Sequence, residues 1–305
     1  MHYIGIDIGG TNIKIGIISK DWKIIKICKF PTGSNPMEII IDELDSILKE
    51  FNVLGIGAGV AGLVDTEGNV IEAANIPFFN NYPLGKELKN RYNVEVKIDN
   101  DANVATVAEA FFGEGRGVQN FILLTLGTGI GSGLWFNGKI AQFPMEVGHM
   151  SINYKGKSCS CGSLGCAELY ASARAIKDSL TEKLENGEES YIKELYEGNF
   201  YKATSLDIYR VAMEGDPVCR AVLKEAGKAL GAAIANLINL FRPEKIILTG
   251  GLSQAVNIYI ETAIQEAKKR AMKTLASAVQ ITTSSLVDKG GVLGAVAVLR
   301  ELCRE

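Results

Sequence analysis

A layout that occurs twice constrains this chain more than any other feature. "IGIDIGGTNIKIGII" (4–18) sets two apolar, β-branched runs on either side of Gly9-Gly10-Thr11, and "FILLTLGTGIGSGLW" (121–135) sets two more around Gly127-Thr128-Gly129. Each reads as strand, tight glycine turn, strand. After the first pair, "IIKICKF" supplies a third strand and "PMEIIIDELDSILKEF" (36–51) a helix opening at Pro36. "VLGIGAG" (53–59) follows as a buried strand, then a short helix from Pro83 to 92, a strand "VEVKI" (94–98) and a helix "NDANVATVAEAFFG" (100–113) ending at glycine. A meander followed by alternating helix and strand makes an α/β layer. After the second pair, 168–241 reads as mostly helical, "EKIILTGG" (244–251) as a strand ending in glycines, 255–272 as an amphipathic helix and "GGVLGAVAVLREL" (290–302) as a closing helix. A chain of 305 residues can bury two such cores. The repeat places a boundary near Gly113–Gly117. It predicts a smaller α/β domain over 1–115 and a larger one over 116–290, with the terminal helix 291–305 packing back on the first.

Several function classes drop out on composition. A net charge of −3 gives no electrostatic reason to expect nucleic acid or an anionic membrane as partner. "MHYIGIDIGG" lacks a basic region followed by an apolar run and a cleavage site. The longest nearly apolar run, "ALGAAIANLINLF" (229–241), is short for a span and holds two asparagines. Cys28, Cys219 and Cys303 are scattered singly, as reduced core residues rather than a disulfide framework. A cytoplasmic protein is expected.

Glycine turns between strands let backbone N–H groups approach an anion, because no Cβ stands in the way. Two such hairpins and the strand-glycine element at Gly250-Gly251 suit the phosphates of a nucleoside triphosphate; the alternative is three plain turns. Other phosphate motifs fit worse. "GTGIGSG" (127–133) fails the G-x-G-x-x-G spacing of a dinucleotide fold. "GLWFNGKI" (133–140) and "SINYKGKS" (151–158) each lack one end of a P-loop, and neither reads as strand followed by helix.

"HMSINYKGKSCSCGSLGCAEL" (149–169) concentrates Cys159, Cys161, Cys166 and His149, the only histidine besides His2. Three cysteines and a histidine match a closed, structural Cys₃His zinc site, with Zn–S distances of about 2.3 Å. Gly162 and Gly165 ease the folding of a short loop around one ion. A redox C-x-C pair or free thiols are the alternatives, and neither accounts for His149 and the third cysteine together.

"DIGGTNIK" (7–14), "IDNDANVA" (98–105), "LGTGIGSG" (126–133), "EVGH" (146–149), "CSCGSLGCAE" (159–168) and "ILTGG" (247–251) occur in the order seen in the ROK family, which the chain resembles over essentially its whole length. That family comprises sugar kinases and sugar-responsive repressors. The resemblance implies a duplicated actin/hexokinase-like (ribonuclease H-like) α/β fold of two domains with an intervening cleft. It also implies ATP and Mg²⁺ as cofactors beside the structural Zn²⁺, a hexose as substrate and a homodimer. Asp101 matches the catalytic aspartate, with Asp99 its rival; an Asp at a strand–helix junction can equally be a helix cap. Gly62, Asn100, Asp101, Glu146, His149 and Glu168 would hold the sugar, the zinc loop acting as a buckle that shapes the pocket. Asp7 would engage Mg²⁺, and Gly9, Gly10, Thr11, Asn12 and Lys14 would lie near the phosphates, although Lys14 reads equally well as a solvated strand lysine. Gly127, Thr128 and Gly129 form the second loop, and Gly250 and Gly251 back the adenosine side. "CAELYASARAI" (166–176) resembles glucokinases more than fructokinases, so glucose is the expected substrate, with mannose, fructose and N-acetylmannosamine as alternatives. Two segments depart from the family: "GVAGLVD" (59–65) has Ala61 where relatives often have proline, and "NIPFFNN" (75–81) has Phe78 and Phe79 where tryptophan is common. Both bear on which hexose enters. The repressors carry a helix-turn-helix domain ahead of "DIGGT", whereas six residues precede Asp7 here, which favours a kinase.

Overall fold

The computed structural model describes residues 1–300 apart from 142, 144 and 287; Cys303 and the end of the predicted closing helix lie outside the described residues. β1 (His2–Ile8), β2 (Asn12–Ser19) and β3 (Ile24–Pro31) form an antiparallel meander in which Asp7 pairs with Lys14 across the first turn. α1 (Pro36–Glu50) leads to β4 (Val53–Val60), which runs parallel to β1. A small hairpin, β5 (Leu63–Val64) and β6 (Val70–Glu72), precedes α2 (Leu84–Tyr92). β7 (Glu95–Asn100) then adds in parallel beside β4 and turns directly into α3 (Asp101–Phe112). The sheet order is β3-β2-β1-β4-β7.

The second half repeats this plan. β8 (Phe121–Leu126), β9 (Ile130–Phe136) and β10 (Lys139–Ile140) are followed by α4 (Glu168–Ala171), α5 (Ala173–Glu185), α6 (Tyr191–Leu195), α7 (Ser205–Met213) and α8 (Pro217–Phe241). β11 (Lys245–Thr249), α9 (Glu261–Arg270), α10 (Lys273–Ala276) and β12 (Gln280–Thr283) complete the layer, and α11 (Gly290–Leu299) closes the chain. The order β10-β9-β8-β11-β12, with β11 parallel to both β8 and β12, has the same form as the first sheet. Two copies of one five-stranded plan are the duplicated actin/hexokinase-like fold.

Contacts divide the chain into two compact units, residues 1–119 with 133–142 and 285–305, and residues 120–132 with 143–284. In the first, Ile4, Ile6, Ile8, Ile13, Ile15 and Ile56 meet Ile40, Leu44 and Ile47 of α1, whose apolar residues recur at helical spacing. α11 covers the other face, its backbone meeting sheet glycines directly: a Cβ on Gly57 would lie 2.0 Å from the Ala295 carbonyl oxygen. That approach, with α3 also packed on α11, explains a helix that is apolar all round. Its end is pinned by Arg300, whose guanidinium stacks 4.3 Å from the Trp22 ring centre.

In the second unit β8 is buried along nearly its whole length and α8 lays its long apolar face into the core. Asp216 caps α8 and Pro217 opens it, a pairing that supplies an acceptor to the first turn where the chain needs no further donor. The segment predicted as one helix over 255–272 begins instead as a π turn, Val256–Ile260, before α9. Tyr259 enters the core in that wider turn, wholly buried, and its hydroxyl donates to the Ala171 carbonyl at 2.6 Å.

Candidate active site and metal centre

In the first unit the β1–β2 turn places Gly10 and Thr11 exposed at its tip. The turn is held from below: Gly9 N–H donates to Asn12 O at 3.0 Å, and the buried Thr32 hydroxyl donates to Gly9 O at 2.6 Å. Lys14 Nζ lies 3.9 Å from Asp7 and 3.6 Å from Asp288. Burial pushes the Asp7 carboxyl above its ordinary range, and the charge of Lys14 partly offsets this. A carboxylate with one cation beside it and a desolvation cost suits a site that receives another cation.

At the β7–α3 junction three adjacent polar residues divide the work. Asn100 is the cap: its Oδ1 accepts from the N–H groups of Ala102 and Asn103 at 2.9 and 3.2 Å, and its Nδ2 donates to Gly62 O at 2.9 Å. Asp99 Oδ1 accepts from its neighbour's N–H at 2.7 Å and from Asn103 Nδ2 at 3.0 Å, which turns it back onto the helix. Asp101 occupies the first helical position and accepts from Ala102 N–H at 2.9 Å. The helix terminus favours an anion there.

In the second unit the β8–β9 turn closes on itself through Gly127 N–H to Gly129 O at 3.0 Å. Gly250, at the end of β11, backs directly onto Leu126, the residue before this turn. Glu168 opens α4 two residues after Cys166. Its Oε2 accepts from Ile130 N–H at 2.9 Å, and its Oε1 accepts from Arg174 at 3.1 Å. Glu146 is exposed, and its carbonyl accepts from His149 N–H at 3.0 Å in a single turn, Val147–His149. Ser132 fixes that turn, its hydroxyl donating to Met145 O and accepting from Val147 N–H at 3.1 Å.

His149, Cys159, Cys161 and Cys166 converge, their ligand atoms all within 4.8 Å of one another. His149 Nδ1 is 3.7 Å from Cys159 Sγ, and Cys161 Sγ is 3.6 Å from Cys166 Sγ. A tetrahedron with Zn–S of about 2.3 Å and Zn–N of about 2.0 Å has edges of about 3.5–3.8 Å. The donor set and its spacing therefore fit zinc, with His149 Nδ1 as the nitrogen ligand. The backbone N–H of Cys161, with the neighbouring groups, holds the Cys159 thiol below its usual range, at about 6, while burial pushes Cys166 up. The loop that gathers them turns at Gly162 and Gly165, with φ of 89° and 69°, a conformation that side chains with a Cβ seldom adopt. Gly165 N–H then donates to Lys157 O at 2.8 Å.

The predicted residues thus fall into three clusters and one loop segment. Asp7, Gly9, Gly10, Thr11, Asn12 and Lys14 lie on one hairpin; Gly62, Asn100 and Asp101 lie at one junction. Gly127–Gly129, Gly250 and Glu168 lie around the second turn, and Glu146 stands beside the metal ligands. Thr32 and Ser132 were not legible in the sequence, because each acts through a partner more than ten residues away; Arg174, only six residues from Glu168, reads as an ordinary helix-surface cation. A cavity of about 330 Å³ lined by Ile152, Lys157, Leu169, Val222 and Arg270, among others, contains none of the candidate residues.

The ROK family profile matches residues 3–301. The glucokinase of Thermotoga maritima is 32% identical over 311 residues, covering 99% of this chain and 98% of its own. The xylose repressor of Caldicellulosiruptor bescii is also 32% identical, over 97% of this chain and 77% of its own length. The crystal structure of a ROK family glucokinase from Streptomyces griseus in complex with glucose and AMPPNP matches with a TM-score of 0.88 at 29% identity, covering 99% of this chain and 100% of that one.

Proposed function

The chain belongs to the ROK family, and from that membership we propose that it is an ATP- and Mg²⁺-dependent hexose kinase that phosphorylates glucose at the 6-hydroxyl. The observation that carries the proposal is the β7–α3 junction. Asn100 Oδ1 caps α3 and Asp99 accepts from Asn103, while Asp101 stands at the first helical position and matches the catalytic aspartate of the ROK pattern. The whole-length likeness to glucokinases supports glucose as the sugar.

In this reading Asp101 accepts the hydroxyl proton as the sugar oxygen attacks the γ-phosphorus. The bond from that phosphorus to the bridging oxygen breaks, and ADP leaves with the electron pair. Gly10, Thr11 and Asn12 on one turn, and Thr128 and Gly129 on the other, offer backbone N–H groups to the phosphates, while the Gly9 and Gly127 N–H groups close the two turns. Lys14 adds a positive charge, and Gly250-Gly251 supports the adenosine. Mg²⁺, when bound by Asp7, would neutralise phosphate charge. Asn100, Glu146, His149 and Glu168 hold sugar hydroxyls, with Gly62 O fixing the Asn100 amide. His149 serves two masters without conflict, Nδ1 for the metal and Nε2 for a hydroxyl. Zinc supplies no chemistry to the transfer; its four protein ligands only fix the loop.

Phosphorus NMR of a mixture of protein, ATP, Mg²⁺ and glucose tests the reaction. A sugar monoester at the 6-position together with ADP is the expected product, and ATP that stays intact contradicts it. The likeness to a xylose repressor favours a second reading, a sugar-binding regulator. That reading predicts sugar binding without ester formation in the same tube.

A further inference from the structure

The two ends of the second glycine turn are gripped by one short segment. Ala173 N–H donates to Gly127 O at 2.9 Å, and the Glu168 carboxylate accepts from Ile130 N–H at 2.9 Å. The carboxylate sits close against the turn: a Cβ on Gly129 would lie 2.2 Å from Glu168 Oε2. The gripping segment, residues 168–174, is itself anchored. Tyr259 donates to its Ala171 carbonyl from the core, and the buried Ser172 caps α5 through Ala175 N–H at 3.2 Å. The glutamate side chain is the one part of this grip with torsional freedom, and Arg174 holds its other oxygen at 3.1 Å.

We propose that Arg174 is a positioning residue that, by fixing Glu168 on the Ile130 N–H, sets the shape of the Gly127–Ile130 turn for the nucleotide phosphates. Arg174 is 52% exposed and touches neither substrate in this scheme; Glu168 is only 16% exposed, so its placement rests on few partners. A guanidinium on one oxygen and a backbone N–H on the other define the carboxylate plane, which a lone hydrogen bond does not. The consequence is a link from zinc to nucleotide: Cys166, Glu168 and the glycine turn are joined through three consecutive residues and one hydrogen bond. The nucleotide half of this inference rests on the kinase reading; the grip on the turn does not.

The test compares the wild type with Arg174→Met and Arg174→Lys. Amide exchange at Ile130 should quicken about tenfold in Arg174→Met and return toward wild type in Arg174→Lys, while zinc content stays at one equivalent in all three. Binding of AMPPNP with Mg²⁺, measured without sugar, should weaken about three- to tenfold in Arg174→Met and recover with lysine. Unchanged exchange at Ile130 in Arg174→Met overturns the grip, whatever the nucleotide does. Faster exchange with unchanged AMPPNP affinity overturns its role toward nucleotide. A wild type that binds no AMPPNP refutes the kinase reading instead, and the exchange measurement still decides the grip.

Discussion

Adjacent residues of the same chemical type separate by what they touch. Asp99 and Asp101 are indistinguishable by composition, yet one is turned back onto Asn103 and the other opens α3. Asp101→Asn should keep ATP and sugar binding within about tenfold while lowering kcat by about 10²–10⁴. Asp99→Asn should retain most of the turnover, because an amide oxygen still accepts from Asn103. Steady-state kinetics of the two variants decide the assignment, and the reverse pattern rejects it. At the metal centre, Cys161→Ser should lose zinc and sugar affinity together, as read by elemental analysis and sugar titration, because Glu168 follows the ligand Cys166 so closely. The cysteines and His149 were legible because only their chemistry and spacing matter. Arg174 was not: it sits in "CAELYASARAI" as one more helix-surface cation, and its value depends on Glu168 facing it. Lys14 lies between two readings in sequence, and its approach to Asp7 and Asp288 is the observation that favours a place near the phosphates.

Elements with a strong period and clear punctuation were read close to their true limits. β1, β2, β4 and β8 are apolar runs of strand length, and α1 begins at the proline that marks it. β12 was missed because "QITT" is four residues long and gains its identity only by pairing with β11. The glycine read as ending α3 has φ −120°, outside the left-handed region; a Cβ there would lie 2.0 Å from Glu109 Oε2, so close approach rather than handedness favours glycine. The longest helix offers the clearest energetic test. The Asp216 carboxylate accepts from Cys219 N–H at 2.7 Å and Tyr191 N–H at 2.8 Å, joining the starts of α8 and α6. Burial alone would raise its pKa, but these two donors, with Ser190 and the Cys219 side chain, hold it below the ordinary value. Asp216→Ala should therefore destabilise the fold by about 2–3 kcal/mol, a lost cap plus an orphaned N–H. The wild-type contribution is complete above the unfolded-state pKa of about 3.9 and fades as pH falls through the lower folded value. Denaturant titrations at pH 7 and pH 3 should show the gap between wild type and variant narrowing in acid.

At the scale of the molecule, the duplicated plan was legible because the repeat is written in the glycine turns themselves. The parallel pairings of β4 with β7 and β11 with β12 were not, since nothing local encodes which strand a parallel strand joins. A zinc ion held by His149, Cys159, Cys161 and Cys166 would tie together loop residues 149–166, so chelation should lower the unfolding midpoint and weaken sugar binding in one step, with both restored by added Zn²⁺. An intact sugar site after full zinc removal would break that link. A site rich in hydroxyl-fixing groups should discriminate sharply, since a missing or inverted hydroxyl leaves a polar group unpaired. The central claim is therefore tested most directly by a coupled assay of ADP release with ATP, Mg²⁺ and a panel of glucose, mannose, fructose and N-acetylmannosamine. The account predicts turnover with the highest kcat/KM for glucose and a clearly poorer value for N-acetylmannosamine; an absence of sugar-dependent ADP release across the panel would contradict it.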